Sequence, residues 1–371
     1  MTEIIRKPLT RKLEKLVDDL AAAIQQYPEK KNEANRKRII RKVKTLDEKC
    51  QKSSKRDAKK RLLKAIDCYD SNDPARSSLF RMTDTLLYLS DIGIEDIPKI
   101  TGRYNTILEL GVNETLKPNV DYLTSVCREE DVRIAIQKYP KILGTNLKKT
   151  KAIVRYVQSL GVESIDKVVR RNPSIFGSKI EILKQNARYF RSEGVKREFL
   201  AKAVERMPNI LTLDIEKYIR PRFDYLRELG IEKEHYGKII KRTPYIFSVD
   251  IEKTKDVVRY FMSKGFSNED IKHLMIKASS IFPSNLETNI RPTYEYLCEQ
   301  GVTKEEFLTT AVVITLSLDG RIKPRYDIME RFGKKGQYGA SALLKGTNEK
   351  FCMLAGCTMK DYNAAVAKYV R

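Results

Sequence analysis

The chain has 371 residues, 72 Lys and Arg against 49 Asp and Glu, a formal net charge of +23, and no tryptophan. Hydrophobic residues make up 41%, enough to bury a core, so this is not a disordered tail; the apolar runs fall far short of the roughly 20 residues that cross a bilayer, which points to a soluble protein. A cationic surplus of this size concentrates polyanions near the surface, which makes nucleic acid the leading partner class, ahead of anionic membrane.

Residues 1–78 form a basic helical region. Leu9, Leu13, Leu16, Val17, Leu20 and Ile24 recur at helical spacing up to Tyr27-Pro28, and further helices are expected around Ile39–Leu46 and Leu62–Tyr69. Between Lys30 and Lys64 there are 16 basic and 4 acidic residues, either a solvated face or an arm that grips phosphates. The first twenty residues are amphipathic like a transit peptide, yet they carry Glu3, Glu14, Asp18 and Asp19, which such peptides avoid, so no targeting segment is expected there.

From residue 79 to about 330 the chain repeats itself. RYNTIL (from Arg103), KYPKIL (Lys138), RNPSIF (Arg171), RMPNIL (Arg206), RTPYIF (Arg242) and KASSIF (Lys277) superimpose, with the proline column at Asn105, Pro140, Pro173, Pro208, Pro244 and Ser279. The period is about 35 residues, within the range of solenoids. A degenerate copy runs through Ala311, Val313 and Ile314. Gly93, Gly161, Gly194, Gly230, Gly265 and Gly301 each close an apolar-periodic segment and read as helix C-caps, and the proline a dozen residues later ends the next helix. Each repeat is therefore a helical hairpin with a longer and a shorter helix. The apolar pair after each proline column, such as Ile210-Leu211 or Ile246-Phe247, is expected in the seam between repeats. The fold class is all-α, an α-solenoid superhelix of about seven repeats behind a basic region, with residues 331–371 as a C-terminal cap.

Leucine-glycine, a dozen residues, then Pro-x-[Ile/Leu]-[Leu/Phe] closely resembles the mitochondrial transcription termination factor (mTERF) family, over roughly Leu86 to Met353. The last copy, ITLSLDGRIKPRYDIM (Ile314 to Met329), looks like that family's C-terminal element. The copy around Cys127-Arg128 lacks the turn glycine, and Asn105, Ser279 and Ala311 replace the motif proline. The resemblance implies a mitochondrial or other organellar location, with the cytoplasm as the alternative.

Two sets of cations are candidates for nucleic-acid binding. Two places before the proline column stand Arg103, Lys138, Arg171, Arg206, Arg242 and Lys277, which either track phosphates or cap helix carbonyls. Stacked hairpins advance about 10 Å each, so seven span about 60 to 70 Å, comparable to about 20 base pairs. The second set lies beside prolines at the start of the longer helices, where proline begins the helix or tightens its first turn. By resemblance, basic side chains on the concave face contact the backbone, which selects Arg220, Arg222, Arg291, Arg321, Lys323 and Arg325. Tyr156, Tyr189, Phe223, Tyr260 and Tyr326 are candidates for contact with bases, with core packing as the alternative.

Catalysis has little support. His235 and His273 stand far apart, no metal-ligand set is clustered, and Phe332 to Gly339 (FGKKGQYG) lacks the spacing of a phosphate loop and is expected before the cap. The six cysteines contain no C-x-x-C pair and read as free thiols. No cofactor or metal is expected. The expected activity is binding of double-stranded DNA, as a monomer, to regulate or terminate transcription. Structured-RNA binding and a protein-binding scaffold are the alternatives.

Overall fold

The computed structural model describes residues 96–370, together with positions 81, 84, 85, 88, 89 and 91–94. The expected N-terminal helices and the basic block between Lys30 and Lys64 lie outside the described residues. Two compact units divide the rest. The first holds α1 (Ile97–Arg103), α2 (Lys117–Val126), α3 (Glu129–Lys138), α4 (Leu147–Ser159) and α5 (Ile165–Arg171). The second holds α6 (Ile180–Ser192), α7 (Arg197–Arg206), α8 (Arg220–Glu228), α9 (Lys233–Arg242), α10 (Ile251–Ser263), α11 (Asn268–Lys277), α12 (Arg291–Glu299), α13 (Lys304–Thr310), α14 (Lys323–Arg331) and the cap helices α15 (Ala340–Lys345), α16 (Asn348–Ala355) and α17 (Met359–Tyr369). Every regular element among the described residues is helical, and each unit is a stack of helical hairpins.

The glycine column does what its spacing implies. Gly93, Gly161, Gly194, Gly230, Gly265 and Gly301 all have φ between 69° and 90°, the left-handed conformation that stops a longer helix and starts the return. The hairpin without a glycine turns differently: Cys127 (φ −140°, ψ 160°) and Arg128 (φ −67°, ψ 141°) reverse the chain in extended conformation.

At the other end of each hairpin, the shorter helix stops two residues before the proline column. Tyr139, Asn172 and Met207, just ahead of Pro140, Pro173 and Pro208, hold φ between −141° and −145° and ψ near 78°. Tyr104, ahead of Asn105, holds the same conformation (φ −144°, ψ 75°), so the bend belongs to the turn itself, and a proline after it is compatible with the non-helical residue it follows. Each proline then opens a 3₁₀ turn, where its missing N–H costs nothing. The apolar pair inside these turns is buried in every copy, from Ile142-Leu143 to Ile281-Phe282, as expected of a seam.

Each longer helix buries one stripe, for example Thr150, Ile153, Val154 and Val157 on α4 and Leu183, Asn186, Ala187 and Phe190 on α6. Those i, i+3, i+4, i+7 positions form a single helical face. In the second unit the stripe is completed by rings: Phe247 packs against Phe190 and Phe223 at centroid distances of 5.3 and 5.2 Å, and Tyr294 against Phe307 at 4.9 Å. Such pairs add about 0.5–1.5 kcal/mol each beyond the area they bury.

The lysine-proline and arginine-proline helices differ from the others by one residue. From the first apolar position to the turn glycine there are 16 residues in Ile215–Gly230, Leu286–Gly301 and Leu318–Gly333, but 15 in Leu147–Gly161, Ile180–Gly194 and Ile251–Gly265. The extra residue is taken up in a π turn at Ile215–Ile219, Leu286–Ile290 and Leu318–Ile322, and likewise at Val112–Leu116 ahead of Lys117-Pro118. Proline cannot donate to the carbonyl four residues back and its ring collides with it; a turn widened to i→i+5 relieves both. Of the two roles expected from sequence, proline takes the first: Pro118, Pro221, Pro292 and Pro324 stand in the opening positions of their α-helices, and the turn before each is widened, not tightened.

The glycine-rich Phe332–Gly339 forms turns between α14 and α15, as expected. The cap is tied back by Lys368 Nζ to Asp327 at 2.7 Å and by Tyr362 Oη donating to the Gly320 carbonyl at 3.4 Å.

Phe247→Ala removes a ring shared by two repeats and is expected to cost about 3–5 kcal/mol in urea unfolding followed by circular dichroism. Gly265→Ala is the complementary test, because a Cβ there meets nothing within 4 Å. Its expected cost of about 1–2 kcal/mol is conformational alone, and no loss would mean that the turn relaxes out of φ +85°.

Candidate nucleic-acid interface

The cations at the ends of the shorter helices, Arg103, Lys138, Arg171, Arg206, Arg242 and Lys277, are all exposed. Four of them reach into the next hairpin. Arg103 Nη1 donates to the Gln137 carbonyl at 3.2 Å and Lys138 Nζ to that of Arg170 at 2.7 Å; in the second unit Arg206 Nη1 donates to Arg242 O at 2.8 Å and Arg242 Nη1 to Ile276 O at 2.6 Å. These carbonyls lie at or next to the C-terminal residue of the neighbouring shorter helix, where partial negative charge collects. The column therefore staples repeats together, and a guanidinium with five N–H groups keeps donors for a second acceptor.

The Arg-Pro and Lys-Pro set separates into two faces. Arg220 sits over the Tyr189 ring at 5.5 Å and is held bidentately by Glu216, with both contacts at 2.8 Å. Arg291 repeats this over Tyr260 at 4.9 Å with Glu287, and Lys323 is paired with Asp319 at 2.7 Å. All three remain accessible. Arg222 and Arg325, expected beside them on the binding face, are buried instead, at 4% and 0% exposure. Residues two apart on a helix point about 200° apart, so when the first faces solvent the second faces the core.

In the core these arginines complete hydrogen bonds. Arg222 Nε donates to the Ile246 carbonyl at 2.7 Å. Arg325 donates to Leu343 O at 2.6 Å, Gly346 O at 3.0 Å and Asn348 Oδ1 at 2.8 Å, and lies over the Phe351 ring at 4.8 Å. Burial pushes both guanidinium groups below their usual range, and for Arg325 the neighbouring Arg321 adds to the effect. Arg321 is half-buried and donates to the same Gly346 carbonyl. Arg222 and Arg325 occupy the stripe position held elsewhere by Asn119 and Asn186, whose amides donate to Leu143 O at 3.1 Å and Leu213 O at 2.7 Å.

Counting back from the turn glycine recovers residues that the proline signal hides. Ten places before it stand Lys151, Lys184, Arg220, Lys255, Arg291 and Lys323, and Lys117 is ten places before Cys127. Five places before it stand Tyr156, Tyr189, Tyr225, Tyr260 and Tyr296, with Tyr122 at the matching place. Four cations of this column stack on the ring of the preceding repeat in the same unit: Lys151 over Tyr122 at 5.3 Å and Lys255 over Tyr225 at 5.7 Å, as with Arg220 and Arg291, whereas Lys323 lies over Tyr369 of the C-terminal helix at 5.9 Å. Of the five rings considered as base contacts, Phe223, Tyr260 and Tyr326 are buried, and Tyr156 and Tyr189 are half-buried. Among the described residues no group of three or more His, Cys, Asp or Glu side chains is arranged for a metal ion, and Cys127, Cys298, Cys352 and Cys357 are free thiols.

An all-helical repeat protein with a cation at one place in every long helix is the class that fold and surface define. The chain belongs to the mTERF family, whose model matches residues 86–204 and 180–352. Members of this family are nucleic-acid-binding regulators with roles in transcription or on RNA, and they are typically organellar. No curated protein matches the chain significantly. No helix among the described residues is long and apolar enough to cross a membrane.

The two arginines of the Arg220-Pro221-Arg222 type are separable by experiment. Arg325→Ala leaves buried carbonyls without a donor and is expected to cost about 3 kcal/mol or more. Arg325→Lys is also expected to destabilise, since a single ammonium cannot reproduce the fork. Arg220→Ala should leave the thermal midpoint where it is. Equal effects of Arg220→Ala and Arg325→Ala in differential scanning fluorimetry would contradict the assignment of faces.

Proposed function

We propose that this protein is a double-stranded-DNA-binding factor that regulates or terminates transcription as a monomer in an organelle, with the repeats laid along the phosphate backbone. The observation that carries the reading is the cation ten residues before each turn, from Lys117 to Lys323, one per repeat. Arg103, Lys138, Arg171, Arg206, Arg242 and Lys277 would supply a second row. Arg222 and Arg325 are left out because they are buried, and Arg321 because its guanidinium is committed to the Gly346 carbonyl. Phosphate contacts of this kind set affinity and register, not sequence. The protein then acts by occupying its target, with no chemical step.

One phosphate contact for each of the seven cations in the first column predicts that log K falls with log salt at a slope of about −6 for a 25-base-pair duplex. Fluorescence anisotropy between about 0.05 and 0.2 M salt measures it, and a slope near zero would leave a protein-binding scaffold as the better reading. Competition by an RNA hairpin of equal length tests the preference for DNA. An RNA that displaces the duplex at equal concentration or below would transfer the reading to structured RNA.

A further inference from the structure

Two of the long helices are near copies of each other. The 13-residue α4 reads LKKTKAIVRYVQS and the 13-residue α10 reads IEKTKDVVRYFMS. Neither has a π turn, and both bury the same stripe, Thr150, Ile153, Val154 and Val157 in one and Thr254, Val257, Val258 and Phe261 in the other. They differ in charge at two positions only: α4 has Lys148 where α10 has Glu252, and Ala152 where α10 has Asp256.

Those two acids are the ones that neutralise the cations of α10. Glu252 pairs with Lys255 at 3.1 Å and lies 3.7 Å from Arg259, which also pairs with Asp256. On α4 the matching cations are Lys151 and Arg155, and among the described residues no carboxylate pairs with them or with Lys148. Lys148, Lys151 and Arg155 stand at i, i+3 and i+7, one face of the helix. Lys148 and Arg155 are exposed, and Lys151 lies over Tyr122. The remaining lysine, Lys149, is bound to the Gly177 carbonyl at 2.8 Å and is not part of the face.

An ion pair carries no net charge and leaves only a short-ranged dipole field, whereas three unpaired cations on one face add up; salt screens both over a Debye length of about 10 Å, within which a bound phosphate backbone lies. Lys148 is also placed against helix stability, since a cation in the first turn opposes the helix dipole. We infer that Lys148, Lys151 and Arg155 form the anchoring site for the nucleic-acid backbone, and that α10 is its electrostatically silenced counterpart. This rests on the proposed function and names where in the array contact is strongest.

The two helices supply each other's controls. Lys148→Glu/Ala152→Asp writes the charge pattern of α10 into α4, and Glu252→Lys/Asp256→Ala writes that of α4 into α10; both patterns already occur in this fold. With a 25-base-pair duplex of mixed sequence at about 0.1 M salt, the first variant is expected to bind more than tenfold more weakly, with a salt slope shallower by about 2. The second is expected to bind more tightly, with a steeper slope. Wild-type affinity in Lys148→Glu/Ala152→Asp, with unchanged circular dichroism, overturns the anchoring site alone. Should that variant unfold, the second decides: tighter binding supports the inference and unchanged binding overturns it. Failure of the wild-type protein to bind either the duplex or an RNA hairpin overturns the proposed function, and this inference with it.

Discussion

Every long helix must offer the same four-residue stripe to its neighbours, at a fixed distance from the glycine that ends it, and the rest of the structure follows from that constraint. Leu116, Ile219, Ile290 and Ile322 are fully buried at the place that Thr150, Leu183 and Thr254 take in the shorter copies. A one-residue insertion would rotate everything before it by about 100° and carry the first apolar residue off the core. The π turns absorb the insertion, so Ile215 and Ile251 both stay half-buried against the repeat although their helices differ in length. Proline is compatible with the array because it coincides with that widened turn.

A second requirement is polar. The 3₁₀ turns end with carbonyls that the next helix cannot satisfy through its own backbone, and an unpaired buried carbonyl costs about 1–3 kcal/mol. One position of the stripe carries the donor: Asn119 and Asn186 reach the turn with an amide, Arg222 with a guanidinium, and Arg325 meets three acceptors at the entrance to the cap. The buried arginines are thus structural counterparts of asparagine. Their charge is tolerated through these charge-assisted bonds and, for Arg325, the faces of Phe351 and Tyr362.

The exposed cations also divide by what surrounds them. At the ends of the shorter helices they are drawn to carbonyls of the next repeat. At the start of the longer helices Lys151, Arg220, Lys255, Arg291 and Lys323 rest on a tyrosine, and the last four are also paired with a carboxylate three or four residues earlier, Glu216, Glu252, Glu287 and Asp319. Acids in a first helical turn are favoured by the dipole, so the same choice stabilises the helix and screens its cation. On α4 that screening is absent, and positive charge is left facing outward.

The sequence by itself determined the repeat, its period, the glycine turns, the proline column and the buried apolar pairs, because each rests on a local rule: a left-handed residue needs glycine, a residue before proline avoids the helix, and apolar residues recur with the helical turn. It also contained the cation and tyrosine columns, which become legible once residues are counted from the glycine and not from the proline. Only the tertiary structure decided which cations face outward. Arg220 and Arg222 are indistinguishable as types, and the choice depends on which side of the helix meets the next hairpin and which carbonyls there lack a donor. Pairing was likewise a tertiary matter: Arg103 and Arg206 are claimed by carbonyls about 35 residues ahead, a contact that exists only when one hairpin is stacked on another.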